Sequence, residues 1–141
     1  MIQSLEELVV PGRILRLFCS FTNPAKEKFV VIVATNPWYL GLLINSSATK
    51  LQKSKKHLSD ELIQVSKADG YDFLTNLEPS VLDCTYAADL DLDEMVAQMT
   101  QDPTRVRGVI TDSTRHRIVE ILENSINLEG GIAKIILKNL A

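Results

Sequence analysis

The sequence predicts a mainly β, α+β domain, a small, strongly bent β-sheet or barrel with helices attached. Short apolar runs, interrupted by Pro, Gly and Asn, fill the first part of the chain. The apolar spacing then switches to a helical period after residue 90. At 141 residues the chain suits one domain, 1–141, and buries about two thirds of its unfolded surface by size scaling.

Residues 2–10 suit a short helical turn, stopped by Pro11-Gly12. In RILRLFCSF, Leu15, Leu17, Cys19 and Phe21 alternate onto one strand face, with Arg16 and Ser20 on the other. TNPAKEK is a polar turn. Phe29 to Ala34 is a six-residue apolar run suited to a buried central strand, and Leu40 to Ile44 resumes after Asn36-Pro37. Two strands joined so closely form an antiparallel pair. Residues 48–59 are polar and predict a loop or exposed edge. ELIQVSK and YDFLT predict two short strands around the hairpin-type dipeptide Asp69-Gly70, and SVLDCTY predicts another strand.

Further on, Leu92, Met95, Val96 and Met99 share one helix face, with Asp91 and Asp93 near its positive end and Pro103 as its stop. RVRGVI is a strand or turn. TDSTRHRIVEILENS is the clearest helix: Thr111 or Asp112 caps it, and Ile118, Ile121, Leu122 and Ile126 form its buried stripe. Gly130-Gly131 marks a stop before the apolar segment IAKIILKNL.

Composition narrows the function classes. A net charge of −3 gives no general attraction to polyanions, so any contact with nucleic acid has to come from a local patch. No apolar run reaches the roughly 18 residues that span a bilayer. The start MIQSLEELVVPG lacks the basic region and apolar stretch of a signal peptide. A cytoplasmic chain with reduced Cys19 and Cys84 and no membrane contact is expected. Two cysteines and two histidines, scattered, argue against a structural zinc site, and no metal or cofactor is expected.

Four segments, PGRILRLFCSF, EKFVVIVATN, LGLLINSS and EPSVLDCTYAADLD followed by RVRGVITDSTRHRIVEILENSINL, cover about residues 10–128. In order and spacing they resemble the PemK/MazF group of toxins from bacterial toxin–antitoxin systems. The resemblance implies an SH3-like barrel with a C-terminal amphipathic helix and a metal-independent endoribonuclease acting on single-stranded RNA. It also implies a homodimer and an antitoxin protein whose tail blocks the site. The family's arginine before the second strand falls on Lys28, and its threonine after the third strand falls on Asn45 or Ser46. The loop between the first two strands, often long in the family, is only TNPAKEK here.

These departures bear on the chemistry. Attack of a ribose 2′-OH on its own phosphate needs a base, an acid for the leaving oxygen and positive charge on the crowded phosphorus. An arginine offers a rigid two-pronged fork to phosphate, whereas a lysine offers a point charge on a flexible stem. The catalytic candidates are therefore Lys28, Asn45, Ser46, His57 and Asp83, and the RNA-binding candidates are Lys50, Lys53, Lys55, Lys56 and Trp38. Each has a plainer reading. Lys28 also suits a solvated strand end, and Asn45 and Ser46 suit a turn. The lysine run suits an exposed loop, as does His57. Asp83 either pairs with Lys28 or points outward. Trp38 stacks on a base, covers a dimer contact or caps the core. A barrel that keeps its shape, loses catalysis and serves as a binding or regulatory module is the alternative reading.

Overall fold

In the computed structural model, residues 4–75 and 78–141 are described. The chain is α+β. A curled antiparallel sheet forms a half-barrel with helices on both faces. Its strands are β1 (Arg13–Cys19), β2 (Lys26–Ala34), β3 (Tyr39–Asn45), β4 (Leu62–Val65), β5 (Ser80–Asp83), β6 (Ala88–Leu90) and β7 (Val106–Val109). They lie in the order β4-β5-β3-β2-β1-β7, and β6 pairs with the far end of β3. Register shifts at Ile14/Leu15 and Ile32/Ala34 break the ladders there, and such irregularities bend a sheet.

The helices are α1 (Lys50–Ser54), α2 (Lys56–Ser59), α3 (Leu92–Gln101), α4 (Asp112–Glu123) and α5 (Gly130–Leu140). Because β1 to β3 alternate apolar residues onto both faces, each face needs its own cover. On one face, Leu15, Leu17, Val30, Ile32 and Leu43 pack with Met95 and Met99 of α3. On the other, Ile14, Val31, Leu42 and Ile44 pack with Ile118 and Leu122 of α4 and Ile136 and Leu140 of α5. At Gly41 a Cβ would stand 2.5 Å from Val30 Cγ1 and 2.8 Å from Leu90 Cδ1, so glycine is what lets β6 close onto β3.

Several expectations hold. The β2–β3 pair is antiparallel, Met95 and Met99 are buried, and Asp91 caps α3 with its carboxylate on Asp93 N. Thr111 Oγ1 caps α4 by accepting from Thr114 N. RVRGVI supplies β7, paired with β1.

Others are corrected. Residues 48–59 hold two short helices rather than a loop. Thr49 and Gln52 form a reciprocal capping box, which satisfies the first donors of α1. YDFLT is not a strand: Gly70, at φ 102°, ends a 3-10 turn, and the chain then runs through residues 71–75 as a loop. SVLDCTY pairs only over Ser80–Asp83. Phe21 is half-exposed because β1 ends at Cys19. Ile126 is 73% exposed because α4 ends three residues earlier and its buried stripe ends with it. Gly130-Gly131 opens α5 rather than stopping the chain, with the Glu129 side chain accepting from Gly131 N. Among the described residues no helix is long and apolar enough to cross a membrane.

Candidate functional site

β2 is graded along its length. Lys26 and Glu27 are exposed, Lys28 and Phe29 are half-buried, and Val30 to Ala34 are buried. β3 runs antiparallel to it, so the polar start of β2 meets the polar end of β3. Phe29 stands opposite Ile44, and one step further Lys28 Nζ donates to Asn45 Oδ1. This end of the sheet opens into a groove of about 530 Å³. Lys28, Asn45 and Ser46 all line it, together with Arg16 of β1, Lys26, Glu27 and Phe29 of β2, and Thr49 at the cap of α1.

The far wall is Phe73 and Leu74, from the loop that follows Gly70. Tyr71 fixes that loop. Its hydroxyl bonds to Thr114 Oγ1 at 2.5 Å and accepts from Thr111 N at 3.1 Å, tying the wall to the start of α4. Phe73 meets Phe29 with ring centroids 4.6 Å apart, and the Arg107 guanidinium lies 5.9 Å from the Phe73 ring centre. The groove thus combines cations, hydroxyls and an apolar floor.

Its charges are held in specific states. Burial pulls the Lys28 ammonium below its ordinary pKa, and repulsion from Lys26 adds to the effect, while Cys19 and Asp83 oppose it. Glu27 is held below the ordinary carboxylate range, chiefly by hydrogen bonds from Arg105. That contact is two-pronged, at 2.8 and 2.7 Å. Arg105 also donates to Arg16 O at 2.9 Å, and Arg16 Nη2 pairs with Asp102 Oδ2 at 2.7 Å.

The other candidates from the sequence lie elsewhere. Asp83 follows Val81, the partner of Asn45, by two residues, so alternation puts it on the same sheet face as Asn45. It does not line the groove. Its carboxylate accepts from Gln52 Nε2 at 3.1 Å and from Thr85 N at 2.8 Å, and it forms no ion pair with Lys28 among the described residues. His57 is exposed and borders a separate cavity with Asp60, Glu61 and Glu120. Lys50, Lys53, Lys55 and Lys56 are exposed on α1, α2 and the residue between them. Lys50 directly follows groove-lining Thr49, and Lys56 pairs with Asp60 at 2.9 Å. Trp38 is 54% exposed at the turn between β2 and β3 and does not cap the core. Six strand steps separate Lys28 from Ala34, roughly 20 Å, so Trp38 lies at the wrong end of the sheet to share the groove.

Sequence reasoning missed Arg16, Lys26, Glu27, Phe29 and Phe73 as groove residues. Alternation within β1 separates Arg16 from the Leu15–Leu17 face, but only the register reveals that it stands opposite Phe29. Among the described residues no group of three or more His, Cys, Asp and Glu side chains is arranged to hold a metal ion. Compared with known proteins, the chain matches no family model and no curated protein.

Proposed function

We propose that this chain is a divergent PemK/MazF-like protein with an SH3-like barrel, acting on single-stranded RNA in the groove at the open end of β2 and β3, as a metal-independent endoribonuclease. One observation carries the reading. Lys28, Asn45 and Ser46, which the resemblance places at the reaction centre, line one groove beside two further cations and an aromatic floor. In this reading the Ser46 hydroxyl and the Asn45 amide hold the phosphate's non-bridging oxygens. The Lys28 ammonium offsets the charge that builds on phosphorus and hands a proton to the departing 5′-oxygen, while the attacking 2′-OH gives up its own proton to water in the open groove.

A second reading, RNA binding without cleavage, also has support. The proton-handling candidates His57 and Asp83 are outside the groove, and the carboxylate that does line it, Glu27, is held ionised by Arg105 and is a weak base. Metal-free incubation with a long mixed-sequence RNA in EDTA separates the two. Cleavage predicts site-selective cuts that disappear in Lys28→Ala. A folded protein that retains RNA but leaves it intact at high concentration would overturn the nuclease reading and leave the binding one.

A further inference from the structure

Among the described residues three cations line the groove, and they differ in how they are held. Lys26 is exposed, and Lys28 is engaged with Asn45. Arg16 is rooted between the buried residues Leu15 and Leu17, so its backbone is part of the rigid sheet. In register it faces Phe29, which in turn faces Ile44, so Arg16, Phe29 and Ile44 form a row across three strands. Directly opposed residues have Cβ atoms about 4.5–5.5 Å apart, so Arg16 and Phe29 are neighbours on one face of the sheet, and both line the groove.

The Arg16 guanidinium is fixed by Asp102, yet its side chain is 34% exposed and lines the groove, so a ligand can reach it. Nη2 donates to Asp102, which is the side-chain bond it makes among the described residues, and buried Nε has no partner among them. From the other side, Arg105 grips the Arg16 carbonyl while holding Glu27. A guanidinium stays charged at any working pH and matches a phosphate with two parallel bonds, where a partly buried lysine supplies a weaker point charge.

We propose that Arg16 is the phosphodiester-gripping residue of this groove, with Asp102 holding its guanidinium in place until a phosphate shares or replaces that bond. The nucleotide's base then lies against Phe29. This rests on the RNA reading above and adds a specific binding residue to it.

The test is fluorescence anisotropy with a dye-labelled, mixed-sequence, single-stranded RNA in EDTA across a salt series. Wild type, Arg16→Gln, Arg16→Lys and Asp102→Asn are compared, each checked for folding by urea denaturation. Arg16→Gln should weaken binding about tenfold or more, and should lower the salt slope by about 0.7, the value of one phosphate contact on a single strand. Arg16→Lys should recover part of the loss, because charge returns without the fork. Should the glutamine variant fail to fold, a several-fold loss in Arg16→Lys carries the same conclusion. Asp102→Asn breaks the same ion pair but leaves the cation, so it should bind as well as wild type or tighter. Equal losses in Asp102→Asn and Arg16→Gln would reduce Arg16 to a structural role and overturn the proposal. Unchanged binding by Arg16→Gln, with wild type binding normally, would overturn Arg16 while leaving the RNA reading intact. No binding by wild type would remove both.

Discussion

At the turn end of the β2–β3 hairpin, Val30 to Ala34 and Leu40 to Leu43 are buried, and helices cover both sheet faces. The turn itself is fastened by α5. Asn139 Oδ1 accepts from Thr35 N at 3.0 Å, and Asn139 Nδ2 donates to Asn36 O at 2.9 Å. At the other end the same two strands carry Lys26, Glu27, Lys28, Asn45 and Ser46 around an open groove, and the bonds there join side chains that water also reaches. One hairpin therefore has a packed end and a polar end. Stability concentrates in the first and the candidate chemistry in the second, because apolar burial and exposed charge cannot occupy the same strand positions.

The largest effect should come from the packed end. Leu40 is 1% exposed, and Leu40→Ala removes buried methyl groups next to the turn. It should cost about 2–5 kcal/mol in urea denaturation. A loss no larger than that of a surface substitution would mean that the turn end is not the stable end. Asn139→Ala should have an intermediate effect, about 1–3 kcal/mol, since Thr35 N and Asn36 O lose a partner. Faster hydrogen exchange at Thr35 and Val33, with little change at Leu17, would place the effect at the turn.

The smallest effect belongs to the groove end and appears as a pH dependence. Folding holds Glu27 below the ordinary glutamate value of 4.5, chiefly through Arg105. The unfolded chain therefore takes up that proton first as pH falls, so the stability from the pair is present above 4.5 and is lost on the way down through the folded value. Because Glu27 is 44% exposed, the contribution stays within about 1 kcal/mol. Wild type should exceed Glu27→Gln in stability at neutral pH, and the two curves should converge in acid. Curves that stay parallel down to acid would rule out the pair as the source.

Much of the fold was legible because it follows from local pattern. The apolar runs of β1, β2 and β3 and the helical spacing of Met95 and Met99 each fix an element without reference to its neighbours. Where a polar composition hid structure, as at residues 48–59, the signal was a cap rather than a period: Thr49 followed three residues later by Gln52. YDFLT misled because its aromatic residues are buried by the loop's attachment to α4 through Tyr71, not by strand pairing.

What the sequence determined by itself is the strands β1, β2 and β3, the helices α3 and α4, the burial of the central strands and the polar character of their ends, since those depend on residue type and spacing along the chain. Tertiary structure alone decided which polar residues meet. Antiparallel register brings Lys28 to Asn45 and Arg16 to Phe29, the end of α3 brings Asp102 to Arg16, and α2 carries His57 to a different cavity. Those meetings join residues far apart in sequence, and a pattern read along the chain contains no distance between them.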